Sequence, residues 1–300
     1  MVVSSATLPH RVCRLGVAPS MLVDDQFMQT VSFLCVDRQT DHGRDRVPAA
    51  TAFYVSVPIG DDLEQDYAVT ARHVIDTSRT YGDLYLRMRL LGHRSQDILV
   101  PQDKWVCHQR ADVAVIPVEI PDDWAGKFIP IDMLATEEDV RSGNVGIGDE
   151  VFFVGLFSEF SGRGRDTPVA RFGRVSLMHQ EMPLTLSPET DPTMTDAYLI
   201  ETVSWGGESG SPAFVYHGID REPGVVMVGG ARFFLLGLAH GHFPIEREVR
   251  FRGDILGSGA VSINAGMAVV IPAQMIRETL MTEELVRDRE RDSDAHRKNP

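Results

Sequence analysis

Cysteine is scarce in this chain, with Cys13, Cys35 and Cys107 the only three in 300 residues. Three widely spaced thiols do not build a disulfide framework, and a reducing cytoplasm is the simpler home for such a protein. Basic charge is also short: 29 Lys and Arg stand against 43 Asp and Glu, a net charge of -14. That balance excludes a nucleic-acid surface, which needs a basic footprint to meet phosphates. Long apolar runs are missing. Met1–Ser20 is interrupted by His10, Arg11 and Arg14, so it does not read as a secretory signal. The longest apolar stretch, Val225–Ala239, contains Arg232 and three glycines and is too broken to span a bilayer. The expectation is a cytoplasmic protein with neither a nucleic-acid nor a membrane partner.

Long helical periodicity is scarce too, and no internal repeat is visible. What is present is a series of short β-branched and aromatic runs between turn residues. They predict strands at Thr30–Val36, Thr51–Val57, Tyr67–Thr70, Leu84–Leu90, Val113–Val118, Glu150–Gly155, Val169–Ser176, Ala197–Thr202, Ala213–His217, Val225–Val228, Phe233–Ala239 and Met267–Ile271. Such a pattern, with 26 Gly and 17 Pro spread along it, points to an all-β barrel or sandwich. One helix is expected from Pro272, with Met275, Ile276, Leu280, Leu285 and Val286 as its apolar side. After Val286 the chain is almost wholly charged and has little to bury, which predicts a solvated helix end or tail. Ser158–Pro168 is polar and glycine-rich and reads as a surface loop.

Three segments carry reactive groups. In Gly207-Glu208-Ser209-Gly210-Ser211-Pro212, glycines flank a serine, so the backbone can turn sharply and aim amide N–H groups at one point. A serine hydroxyl is a weak nucleophile that needs both a base and such a place for the developing oxyanion. In Tyr67-Ala68-Val69-Thr70-Ala71-Arg72-His73, an apolar run ends just before a histidine, where a strand leaves the core. In Ala111-Asp112-Val113-Ala114-Val115, a carboxylate precedes a run that must be buried. Each alone has an ordinary reading: loop material, a structural histidine, a solvated strand cap. Together they fall in the order His, Asp, Ser, with steps of 39 and 97 residues (from 73 to 112 and from 112 to 209).

In this order and spacing the chain resembles the trypsin-like (chymotrypsin-fold) serine peptidases, and its bacterial members in particular. The resemblance rests on Thr-Ala-x-His, Asp-φ-Ala-φ and Gly-x-Ser-Gly-Ser-Pro. It extends to Gly148-Asp149-Glu150-Val151, Phe172-Gly173-Arg174-Val175, Leu236–Gly241 and Asn264–Ala268, and covers roughly Gln29 to Leu280. It implies two six-stranded antiparallel β-barrels with the active site between them and a C-terminal helix. The implied division is an arm over 1–24, a first barrel over 25–125 with His73 and Asp112, a second over 126–272 with Ser209, and a helix and charged tail over 273–300. The seam would fall near Pro121–Ile131.

The implied function is a serine endopeptidase with Ser209 as nucleophile, His73 as base, and Asp112 orienting the imidazole. The backbone N–H groups of Gly207 and Ser209 would form the oxyanion hole, and no metal or organic cofactor is called for. The primary pocket would involve Val203, Ser204, Ala239, His240, Gly241 and His242. No Asp or Glu lies among them, which argues against Lys or Arg as the preferred side chain. A small or apolar one is the default, and the two histidines leave an acidic one open.

The chain departs from the family in four places. Val74 stands where secreted members carry a cysteine beside the base. Glu208 replaces the aspartate that animal enzymes pair with a newly cut N-terminus. Ala50-Thr51-Ala52-Phe53 replaces a Gly-x-Gly-Phe run, and His240 falls beside the carboxylate where a small residue is usual. There it would bond Asp112, meet substrate or simply pack. Three rival functions remain: a silent fold that binds peptides, a serine esterase, and a metal hydrolase using His240-Gly241-His242. The charged C-terminal tail is a candidate surface for a regulatory partner.

Overall fold

The computed structural model describes residues 23–40, 43–60, 63–157, 167–186, 191–203, 207–217, 232–250 and 258–298. The expected strand Val225–Val228, most of the Ser158–Pro168 loop, and Cys13 lie outside them. Strands dominate, in two antiparallel sheets.

The first sheet is built from β1 (Val31–Thr40), β2 (Gly43–Pro58), β3 (Glu64–Thr70), β4 (Leu84–Leu90), β5 (Arg94–Leu99), β6 (Val106–Cys107), β7 (Ala114–Pro117) and β8 (Ile129–Pro130). In β4 the burial alternates residue by residue, with Leu84, Leu86, Met88 and Leu90 inward and Tyr85, Arg87 and Arg89 outward. That is the period of two that a pleated strand imposes. Between Leu34 and Cys35 the β1–β2 register shifts, opposite Pro48. Proline has no N–H to give the ladder, and the bulge absorbs it.

Strand order is β5-β4-β1-β2-β3-β7-β6, with β8 paired in parallel to β2. This corrects the expectation of two six-stranded barrels, because the first sheet has eight strands and does not close among the described residues. Its edges are β5 and β6. They are joined by Pro101 and a 3-10 turn over Gln102–Lys104, and β6 has only two paired residues. A strand so short, reached through a proline and a turn, offers too little backbone to complete a ladder.

The second sheet does close. β9 (Glu150–Gly155), β10 (Val169–Leu184), β11 (Thr193–Glu201), β12 (Pro212–His217), β13 (Arg232–Arg250) and β14 (Ser258–Pro272) form a barrel in the order β10-β11-β14-β13-β12-β9. Alternation again divides its side chains. Val151 and Phe153 of β9 fill the barrel with Val215, Leu236 and Val270. Phe152 and Val154 point outward into a larger core shared with the first sheet. The short helix α1 (Asp25–Met28) feeds that shared core, where the Phe27 ring lies 5.2 Å from Phe152 and 4.9 Å from both Phe214 and Phe233.

Two further short helices interrupt the strands, α2 (Arg72–Ser78) and α3 (Glu137–Arg141); α2 places His73 in a helix, where the sequence suggested only a strand end. The C-terminal helix is two helices, α4 (Ala273–Leu280), capped by Pro272, and α5 (Glu283–Lys298). The charged segment after Val286 buries more than its composition suggests. Arg289 is buried and donates from Nη1 to the Tyr67 hydroxyl on β3 at 2.8 Å. Among the described residues no helix is long and apolar enough to cross a membrane.

Candidate active site

His73 is the second residue of α2, whose N-cap, Ala71, has no side chain able to bond the first amides. Asp112 supplies that bond from another part of the chain. Its Oδ1 accepts the His73 backbone N–H at 2.8 Å, and its Oδ2 lies 2.7 Å from His73 Nδ1. A carboxylate at a helix N-terminus is favourably placed against the helix dipole. Because an ionised carboxylate only accepts, Nδ1 must carry the proton, which leaves Nε2 as the basic nitrogen.

Asp112 is fully buried, in a loop between β6 and β7 held by a residue that the sequence did not single out. His108 Nδ1 accepts the backbone N–H groups of Arg110 and Ala111 at 3.1 and 2.9 Å, and the His108 backbone N–H donates to Val113 O at 2.9 Å. Burial by itself would raise the Asp112 pKa. The charge of His73 and hydrogen bonds from His240 and His73 outweigh it and hold the carboxyl well below the usual range. For His73 burial pushes the pKa down, but the charge and hydrogen bond of Asp112, with Asp76 adding to them, leave it raised.

Ser209 sits in a turn pinned from both sheets. The Thr51 N–H donates to Ser209 O at 3.0 Å, and the Thr51 hydroxyl donates to Gly207 O at 3.0 Å while accepting the Leu156 N–H at 2.9 Å. Thr70 Oγ1 closes the set by donating to Thr51 O at 2.7 Å. On the barrel side the Gly210 N–H reaches Ala239 O and the Ser211 N–H reaches Glu208 O, both at 2.8 Å. Gly210 adopts φ +84°, and a Cβ there would stand 2.2 Å from Thr51 O and 3.3 Å from Ala71 N. Only glycine lets the Ser209 turn approach the segment that leads into His73 so closely.

The residue before Ser209 is also held. Glu208 is buried and forms an ion pair with Arg171 of β10, whose guanidinium lies 5.3 Å from the Phe157 ring. The alternation of β10 offers no signal that this arginine turns inward. Thr51 and Thr70 are likewise invisible as site residues in sequence, because strand threonines are common and their partners are remote.

His240 takes the first of its three readings. Its Nδ1 lies 2.5 Å from Asp112 Oδ2, and its ring centroid is 5.0 Å from that of His73. The ligand atoms of His73, Asp112 and His240 fall within 4.8 Å of one another, so these are the residues whose chemistry could hold a metal ion. His242, partner in the His-x-His reading, is exposed instead. The His240 carbonyl accepts the Ser209 hydroxyl at 3.1 Å. The structure thus brings His73 and Asp112 into direct contact, and turns Ser209 Oγ to a carbonyl rather than to the imidazole. Of the other predicted pocket residues, Val203 is exposed, Ala239 is buried in the barrel core, and Ser204 lies outside the described residues.

No family model and no curated protein matches the chain. Among solved structures, the MamO protease domain from Magnetospirillum magneticum in its apo form is similar over 85% of this chain and 98% of that one, at 14% identity and a TM-score of 0.47. The active form of the Rv3671c protease from M. tuberculosis is similar over 85% of this chain and 80% of that one, at 17% identity and a TM-score of 0.45. These structural neighbours are protease domains. Likenesses this low decide nothing about chemistry, which only the geometry of the site can carry.

Proposed function

We propose that this chain is a serine endopeptidase acting through Ser209, His73 and Asp112. The observation that supports it best is the buried Asp112 bonded to both the backbone and Nδ1 of His73, beside a serine turn that only glycine at 210 allows. A rotation of the Ser209 side chain would move its hydroxyl from the His240 carbonyl toward His73 Nε2. Such bonds are often formed only when substrate is present, and a rotamer change of this kind is fast. His73 then takes the proton as Oγ bonds to the scissile carbonyl carbon, and the oxyanion is received by the N–H groups of Gly207 and Ser209. The C–N bond breaks as His73 gives that proton to the leaving amine, leaving an ester on Ser209. Water, deprotonated by His73, releases the acid and restores the serine.

On this reading the cleft lies between the two sheets, and Val203, His240, Gly241 and His242 border the primary pocket. Small or apolar side chains suit it by default, and His240 and His242 keep an acidic one open. The scarcity of cysteine supports a cytoplasmic setting.

One observation favours a second reading, a silent fold that binds peptides: Ser209 donates to His240 O rather than to His73. A fluorophosphonate probe separates the two. The peptidase reading expects covalent labelling that disappears in Ser209→Ala and His73→Ala. An intact, folded chain that takes up no probe would leave the binding reading. A peptide library set against simple esters then distinguishes peptidase from esterase.

A further inference from the structure

No described element fills the open seam of the first sheet. β5 and β6 present outer edges that no described strand pairs with, and they border one groove of about 820 Å³. Its floor is apolar, from Met88, Ile98, Trp105 and Ile116, and Leu285 of α5 forms part of the far wall. Leu99, at the end of β5, is 52% exposed despite its size. An unpaired edge beside an apolar floor is the feature that proteins usually cover or charge to prevent pairing.

Two observations say what would pair there. Trp105 is 6% exposed, yet its indole N–H has no acceptor. A buried donor without a partner is costly, and a carbonyl delivered by an added strand would satisfy it. The rim is acidic, with Asp103, Glu119, Glu284 and Asp288 against Lys104 and the Arg291 that pairs with Asp288. A cationic partner meets that rim and an anionic one is repelled.

We propose that the seam between β5 and β6, walled by α5, is a docking groove for an extended peptide that alternates apolar and basic residues and adds a strand to the sheet. Backbone bonds to the free edges hold it, alternate apolar side chains fill the floor, and the basic ones face the rim. This interaction surface is separate from the cleft at Ser209 and does not depend on peptidase activity. It also gives the charged C-terminal helix a role, since Glu284 and Asp288 form the acidic side of the wall.

The test uses the full chain carrying Ser209→Ala, so that no probe is cleaved, and a fluorescein-labelled octapeptide alternating lysine and valine. Fluorescence anisotropy should rise saturably, with micromolar affinity at low salt that weakens as salt is added. Trp105→Phe keeps an aromatic ring, though a smaller one, and removes the donor, and should weaken binding about tenfold. Glu284→Lys with Asp288→Lys, on the outer wall, should weaken it by more than tenfold. A probe N-methylated at every residue cannot donate to either edge and should not bind. Equal binding of a glutamate–valine probe, or of the N-methylated one, would overturn the proposal, as would no saturable binding. Self-association abolished by Trp105→Phe would make a second copy the occupant and overturn a foreign peptide. Binding that appears only after removal of residues 1–22 would do the same, in favour of the chain's own stretch bearing His10, Arg11 and Arg14.

Discussion

Arg171→Met removes the cation that faces Glu208 while keeping most of the side-chain volume. Both partners are largely buried, at 13% and 8% side-chain exposure, so the carboxylate loses the guanidinium that faces it with little water to replace it. Breaking a buried pair on one side costs about 3–5 kcal/mol. The protein could escape part of this by keeping the Glu208 carboxyl protonated. It could instead swing the Gly207–Ser209 backbone toward solvent, which on the proposed mechanism would cost one or both oxyanion donors. Losing a single donor is worth about 10²–10³ in turnover. The assay pairs urea unfolding with the rate of fluorophosphonate labelling of Ser209. Arg171→Met should lose stability by the amount above and label at least about 10²-fold more slowly. Arg171→Met with Glu208→Gln, which removes both charges, should recover most of the stability. If Arg171→Met unfolds and labels like the parent, the ion pair does not organise the nucleophile turn, and the reasoning fails.

Further expectations rest on the same geometry. Asp112→Asn should keep the fold and lower kcat by about 10⁴, since an amide lets His73 adopt the wrong tautomer; steady-state kinetics on any cleaved peptide checks it. His240→Ala removes one hydrogen bond to a buried charge and should cost about 1.5–3 kcal/mol of stability, read by urea titration, with kcat affected more than KM. Because the His73 pKa is raised, activity should climb with pH through a midpoint above that of an ordinary imidazole. The stability that His73 contributes is whole below its unfolded pKa and is lost as pH rises through the folded one, whereas that of Asp112 is whole above its unfolded pKa and is lost as pH falls through its depressed folded one. Asp66, on β3, has its pKa raised to about 6 by burial and by the charge of Glu64, so its ionised form opposes folding. Asp66→Asn should raise Tm by about 2–4 °C at neutral pH, a value discounted for solvent screening, and by progressively less as pH falls below the folded pKa of about 6, the gain vanishing only below the ordinary value of 3.8, where the aspartate is protonated in both states; calorimetry across pH reads it.

The sequence by itself determined the strand-rich character of the protein and which residues were worth pairing. Period-two burial is written locally, as in Leu84–Leu90, and three short motifs in a fixed order need no coordinates to be noticed. The segments around His73, Asp112 and Ser209 were legible for that reason. Only tertiary structure decided what the local pattern could not encode. The first sheet stays open because β6 is too short and Pro101 precedes it, a fact about pairing between edges rather than about any one run. The supports that the sequence did not single out are Thr51 from β2, Arg171 from β10 and His108 from the loop before Asp112. Each acts through a hydrogen bond or ion pair whose partner lies far along the chain or is a backbone group, and nothing in its own neighbourhood announces it. The same holds for Arg289, whose charged segment reads as solvated until Tyr67 is seen beneath it. Burial and long-range pairing are properties of the folded whole, and they bring the His73 and Asp112 segments into direct contact.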